Sequence, residues 1–280
     1  MLRIRTMMAD DIPFGLDLCR LAHWNQTDAD WRRLLALEPG GVFVSEHDGR
    51  PCGTAATTCY DTRTAWIGMV LVHPDFRRRG VATALMDHCV RHLRARNVQS
   101  IKLDATDQGR PVYVRMGFKD ERPIHRYVGV RPQGLAADSA ARETDQADWP
   151  AVARLDEAAF GADRLRLLKM LAADGLSAAL RDAGQLRGYG FTRPGHEASH
   201  LGPVVADDAD AARTVVRSLL ARMPDGPVIW DVLPDNADAV RLVEGLGLSA
   251  TRQLTRMVCG ATMNPGDVGR VYAAAGFELG

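Results

Sequence analysis

Three consecutive arginines, Arg77, Arg78 and Arg79, stand directly before Gly80 in "VHPDFRRRGVATALM" (72–86), with Ala82 two residues on. The stretch turns at once into an apolar helical pattern, so positive charge and small residues gather at the mouth of a helix. A helix N-terminus leaves about four backbone N–H groups without partners and carries about half a positive charge. An anion set there is held by peptide hydrogens, with no side chain needed between them. Gly80 and Ala82 keep a bulky branch out of the approach, and the arginines add neighbouring charge. The stretch lacks the Lys-Ser/Thr of a nucleoside triphosphate loop. It therefore suits a diphosphate that is held and not cleaved. The alternative is a solvated basic face beside a helix, with Gly80 an ordinary turn.

Several elements must position this loop. "IPFGLDLCRLA" has helical spacing, with Asp10 or Asp11 as N-cap and Pro13 in the first turn. "GVFVSEHDGRPCGTAATTCY" reads as a hairpin turned by Asp48-Gly49. "AWIGMVLVHP" is a nearly continuous apolar strand leading into the arginines. The helix after Gly80 carries Leu85, Cys89 and Leu93 on one stripe. "VQSIKLDAT" reads as a second buried strand and "RPVYVRMGF" as a short helix ended by Gly117. Strand and helix alternate after a hairpin, which predicts a mixed, layered α/β fold.

The chain also repeats itself. "MMADDIPFGLDL" is echoed by "TDQADWPAVARL", and "GMVLVHPDFRRRGVATAL" by "LGPVVADDADAARTVVRS". "IKLDATDQGRPVYVRMGF" is echoed by "VIWDVLPDNADAVRLVEGLGL", and "HRYV" by "TRMV". Four echoes in one order predict two copies of one fold. The expected division is a first domain over 1–130, a polar linker over 131–145, a second domain over 146–262 and a C-terminal docking tail over 263–280.

Arg77-x-x-Gly80-x-Ala82 after a buried strand, together with Tyr113-x-x-x-Gly117-Phe118, resembles the acetyl-CoA site of the GNAT superfamily of N-acetyltransferases. The resemblance covers most of residues 1–130 and implies, in each copy, a mixed and mostly antiparallel sheet flanked by helices. It implies that Val70, Leu71 and Val72 offer backbone groups to the pantetheine arm. Arg77, Arg78, Arg79, Gly80, Val81, Ala82 and Thr83 would surround the pyrophosphate. Tyr113 falls where the family's tyrosine protonates the departing thiolate; a packing tyrosine is the other reading. Asp104 matches a strand position where some relatives carry a glutamate base working through water, or it caps the helix that follows. His73 and His125 are weaker bases, and a backbone N–H near Leu71 would serve the oxyanion. Trp24, Asn25 and Gln26, in "HWNQTDADW", fall where relatives build the acceptor wall, although a tryptophan there can equally be a packing staple.

A free lysine-type amine has a pKa of about 10.4, so amine acetylation near neutral pH needs a base as well as an acid. The expected activity is acetyl-CoA-dependent N-acetylation of a primary amine on a small molecule or peptide, by direct transfer. A non-catalytic CoA-binding sensor and an acyltransferase with another acyl chain or acceptor are the rivals. In the second copy an ungapped alignment on Val72 and Val205 sets Asp210 at Arg77, Arg213 at Gly80 and Val215 at Ala82, with Val243 at Tyr113. One active site, in the first copy, is expected. Tyr272-x-x-x-Gly276-Phe277 is a decoy without strand or cradle before it; Phe277 and Leu279 are expected to add apolar burial.

Composition narrows the partners. Lys+Arg and Asp+Glu are both 35, which argues against a general polyanion binder such as a nucleic-acid domain. "MLRIRTMMADD" has no secretory h-region and no apolar run reaches a membrane span, so a cytoplasmic protein is expected, with oligomerisation open. Five scattered cysteines without a CxxC pair read as buried thiols, and no metal site is expected.

Overall fold

The computed structural model of the protein describes residues 1–135, 140–261 and 264–280. Residues 136–139 of the expected linker, and Thr262 and Met263 at the expected start of the tail, lie outside the described residues. In chain order the first half holds β1 (Leu2–Thr6), α1 (Ile12–Leu21), α2 (Asp28–Leu37), β2 (Val42–His47), β3 (Arg50–Cys59), β4 (Thr64–Val72), α3 (Val81–Ala95), β5 (Ser100–Ala105), α4 (Arg110–Arg115) and β6 (Lys119–Val130). The second half repeats that order. It holds β7 (Ala141–Arg142), α5 (Trp149–Phe160), α6 (Leu165–Asp174), β8 (Ser177–Asp182), β9 (Gln185–Arg193), β10 (Ser199–Ala206), α7 (Ala209–Arg222), β11 (Pro227–Val232), α8 (Ala237–Gly245) and β12 (Ser249–Gly260). One further strand, β13 (Val271–Ala273), ends the series.

The two compact units interleave along the chain, which a cut at 130 and 146 does not provide for. The first contains residues Met1–Asp120 and the end of β12 from Met257; the second contains Glu121–Arg256 and Asn264–Glu278. In the first unit the sheet runs β1-β2-β3-β4-β5, with the end of β12 next to β5. All of these pairings with printed register are antiparallel except β4 with β5. In the second unit the order is β12-β6-β11-β10-β9-β8-β7. Here β10 pairs β11 in parallel, and β6 pairs β11 antiparallel from Val130↔Pro227 to His125↔Val232. Six paired residues tie β6 into the second unit, and that pairing is why the unit begins at Glu121 rather than after a linker. Residues 141–142, expected within the linker, pair with Leu180 and Ala179 of β8.

Local chemistry explains most boundaries. Asp48 and Gly49 take φ of 51° and 78°, the left-handed pair that a two-residue hairpin turn needs. Asp11 precedes α1 but gives it no side-chain cap. Its carboxylate instead accepts from the Met8 N–H (2.8 Å) and pairs with Arg5 (2.7 Å). Thr27 and Asp30 close a reciprocal capping box that starts α2. On α3 the stripe of Leu85, Cys89 and Leu93 is fully buried, against Ile67 and Ile101 of β4 and β5. Cys19, Cys52, Cys89 and Cys259 are buried and Cys59 half-buried, and all five are free thiols. Among the described residues no helix is long and apolar enough to cross a membrane.

Candidate active site

Beyond a short parallel seam, β4 and β5 part. They pair at Thr64↔Ser100, Ala65↔Ile101 and Trp66↔Lys102, and the register stops there although both strands continue. On the other flank β3 stays paired with β4, but with a bulge: Gly68 faces Ala56 and Leu71 faces Thr54, leaving Met69 and Val70 opposite Ala55. Met69 has φ 54°, and the Thr54 hydroxyl donates to its carbonyl at 2.9 Å, fixing the bend. The His73 N–H donates to the Cys52 carbonyl at 2.9 Å. Antiparallel hydrogen bonding alternates, so Leu71 turns its N–H and C=O toward β3 and Val72 turns its own toward the gap. The oxyanion donor expected near Leu71 therefore has Val72 as the better-directed neighbour.

The arginine loop closes one end of this gap. Arg77 folds back so that its Nε donates to the Val72 carbonyl at 3.2 Å. Arg78 and Gly80 are both left-handed, with φ of 61° and 79°, a backbone of the kind that turns successive N–H groups inward around an anion. The last backbone bond before the loop is Arg77 N–H to Pro74 O (3.2 Å), and the next is Ala84 N–H to Gly80 O (2.9 Å). Between them the N–H groups of residues 78–83 have no protein acceptor among the described residues, and Gly80 supplies no capping side chain. A Cβ on Gly80 would meet nothing within 4 Å. The glycine is thus required by its backbone angle, and the space before it is open. Arg77, Arg78 and Arg79 are exposed, with the Arg79 guanidinium 5.6 Å from the Phe76 ring centroid.

Tyr113 lies on α4, its ring over Gly109, where an added Cβ would stand 3.1 Å from the phenol oxygen. It packs on the same cluster as Val70, Val72 and Phe118, and burial pushes its pKa up to about 12. Asp104 sits on β5 past the point where the seam ends. Its neighbours Ile101, Leu103 and Ala105 enter the cluster under α3, so strand alternation sets Asp104 on the opposite face of the sheet from Tyr113's cluster. The Thr106 hydroxyl and carbonyl accept from the Gly109 N–H (3.1 and 3.0 Å) just before α4, and Gly109, the N-cap residue, has no side chain to cap with. The His73 ring nitrogen accepts from the Asp75 N–H at 3.3 Å, a turn-making role, and His125 belongs to the second unit.

Trp24, Asn25 and Gln26 lie in the connection from α1 to α2, Trp24 half-buried and the two amides buried. The Trp24 N–H bonds to the Cys19 carbonyl at 2.9 Å. Trp31, at the end of the same stretch, packs: it is fully buried, its ring against Gly15. Sequence reading missed the bulge at Met69 and Val70. No residue type announces it, although the pause in a continuous apolar strand at Gly68 is consistent with one.

The second unit lacks the open helix mouth. α7 follows β10 after residues 207–208 only, whereas residues 73–80 separate β4 from α3. Asp208 stands at the N-cap, and its carboxylate accepts from the Ala211 N–H at 2.9 Å. This corrects the ungapped alignment: the counterpart of Gly80 is Asp208, because the connecting loop is shorter. Asp210 and Arg213 are exposed on the first turn of α7 and pair with each other at 2.5 Å, so Arg213 fills no gap. Val215 is buried inside the helix, and Val243, at the position of Tyr113, is buried and apolar. Tyr272 lies in β13, not on a helix. Among the described residues no group of three or more His, Cys, Asp or Glu is placed to hold a metal ion.

Comparisons with known proteins place both halves. Residues 9–118 match the model of the "Acetyltransferase (GNAT) family" and residues 152–273 that of the "Acetyltransferase (GNAT) domain". An uncharacterized N-acetyltransferase of Bacillus subtilis, YitH, is 28% identical over 221 residues, 78% of this chain and 77% of that protein. The fold is that of a Pyrococcus horikoshii protein described as "A Putative Acetyltransferase" (TM-score 0.87, 23% identity, 100% of this chain and 96% of that one). It is likewise that of a tandem GNAT protein from the clavulanic acid biosynthesis pathway (TM-score 0.68, 16% identity, 93% of this chain and 98% of that one). Two copies of one element order, one with an open helix mouth and one with a capped mouth, together with these matches, establish that the chain belongs to the GNAT family of acetyltransferases and carries two GNAT domains in tandem.

Proposed function

We propose that the first unit is an acetyl-CoA-dependent N-acetyltransferase, passing an acetyl group directly to a primary amine of a small molecule or peptide. The observation that carries this is the run of N–H groups over residues 78–83 with no protein acceptor among the described residues, set beside the gap between β4 and β5. A diphosphate fits those donors, and the exposed Arg78 and Arg79 supply counter-charge. The gap-facing backbone of Val72, with Val70 and Leu71 beside it, suits an extended amide-bearing arm. Bound acetyl-CoA supplies an activated thioester. Tyr113, kept protonated by burial, holds a proton for the departing sulfur. Asp104, on the other face of the sheet, is proposed to take a proton from the incoming amine, directly or through water. Trp24, Asn25 and Gln26 are proposed to border the acceptor. The linear domain limits of 1–130 and 146–262 are replaced in this proposal by the interleaved units.

Calorimetric titration with CoA tests the reading. One CoA per chain is expected for the native protein, and Gly80→Val should weaken binding at least tenfold, because a β-branched residue is forced into left-handed backbone. Undiminished binding by that variant, or no binding to the native protein, would refute the assignment. A thiol-release screen over amines then identifies the acceptor.

A further inference from the structure

In the first unit no strand among the described residues enters the space between β4 and β5 past Trp66; in the second, the protein's own chain enters the corresponding space. β10 and β11 pair in parallel at Ser199↔Val228, His200↔Ile229 and Leu201↔Trp230. β13 then pairs with β10 from the same side, antiparallel, with Ala273 opposite Val204 and Val271 opposite Val205. Those two β10 residues follow a bulge, Gly202-Pro203, just as Leu71 and Val72 follow Met69-Val70 in β4. By register, β13 occupies the lane that the gap-facing backbone of β4 leaves open.

The inserted strand is bonded on its other flank too. The Ala274 N–H donates to the Asp231 carbonyl at 2.8 Å, and the Trp230 indole donates to the Tyr272 carbonyl at 2.8 Å. Asn236 donates to the carbonyls of Gly269 and Val271, each at 3.0 Å. Arg193 holds the Ala275 carbonyl (2.8 Å) and Glu278 (3.0 Å). A Cβ at Gly202 would lie 2.1 Å from the Ala274 carbonyl, so β10 is shaped to peptide backbone at that point. Tyr272 and Ala273 are buried in one cluster with Trp230 and Val215.

We propose that the cleft of the second unit is a binding site for an extended peptide strand, filled in cis by residues 271–274, and that this strand excludes an acyl-CoA arm. Recognition rests on main-chain bonds to one strand edge, with the run Ala273-Ala274-Ala275 keeping the ladder close, as in strand addition generally. The proposal stands whether or not the first unit takes CoA.

Hydrogen exchange on the intact protein decides whether the strand is seated. The segment 271–275 should exchange as slowly as β10, with or without saturating CoA; exchange at the rate of an exposed chain overturns the proposal. Specificity is read on a full-length chain carrying a protease site between Ala261 and Asn264. After cleavage, a labelled synthetic peptide of residues 264–280 should exchange into the protein and resist displacement by CoA. The same peptide with Ala274→Pro, which lacks the donor to Asp231, should bind at least tenfold more weakly. Equal binding of the proline peptide, or displacement by CoA, refutes it.

Discussion

A phenol whose pKa is pushed up to about 12 by burial keeps its proton through the whole range in which an amine acceptor is usable. Tyr113 therefore keeps its proton in the resting site, so that any proton-transfer role it has is as a donor and not as a base. Replacing it by phenylalanine preserves the ring over Gly109 and removes only the donor. The expected result is a fall in kcat of about 100- to 10,000-fold, the usual worth of one positioned acid, with CoA affinity nearly unchanged. Because the group stays neutral, the native rate should show no alkaline decline from this residue up to pH 10; a rate profile against pH checks both statements. A decline centred below pH 9 that disappears in Tyr113→Phe would contradict the assignment.

At the scale of elements, the first unit depends on α1 lying close to α2, and Gly15 makes that approach possible. A Cβ there would stand 2.7 Å from the Trp31 ring, which is fully buried. Gly15→Ala should destabilise the protein by about 1–3 kcal/mol through overpacking, seen as a lower unfolding midpoint in denaturant. Elements of this kind were largely legible in the sequence. The Asp48-Gly49 hairpin, the Leu85–Cys89–Leu93 stripe and the strand leading into the arginines each rest on local pattern, and local pattern survives folding. Three features were not legible. The bulge at Met69 is set by a hydroxyl fifteen residues earlier, from Thr54. The length of the loop before α7 hid the match of Asp208 to Gly80, since an ungapped comparison cannot see a deletion. The placement of β6 beside β11 is a long-range pairing, and nothing in "HRYV" distinguishes one parallel or antiparallel neighbour from another.

On the scale of the whole molecule, the second unit is organised around buried charge. Asp231 is fully buried, bound by both arms of the Arg126 guanidinium (2.8 and 2.7 Å) and by His200 (3.2 Å). Burial alone would raise its pKa, but Arg126 and then His200 hold it well below the usual carboxylate range. Burial, with Arg193 next, pushes His200 down from 6.5 to about 4. A neutral imidazole satisfies both neighbours: one nitrogen accepts from Arg193 at 2.8 Å and the other donates to Asp231. Between pH 4 and 6.5 the unfolded chain thus binds the extra proton, and stability falls on acidification. The loss from His200 is about 3 kcal/mol across that window, and Asp231 adds to it only at lower pH. Hydrogen exchange at β10 and β11, followed from pH 7 to pH 4 with correction for intrinsic rates, should show this weakening. His200→Gln, which cannot titrate, should flatten the dependence.

The exchange of β6 and the end of β12 between the two units has a consequence for inheritance. A polypeptide stopped at residue 130 would carry β6 without β11 and leave β5 without its outer neighbour, a bare edge that invites association with other chains. Either repeat expressed alone is therefore expected to be poorly soluble, and loss of the capped copy should also remove the strand that completes the sheet of the other.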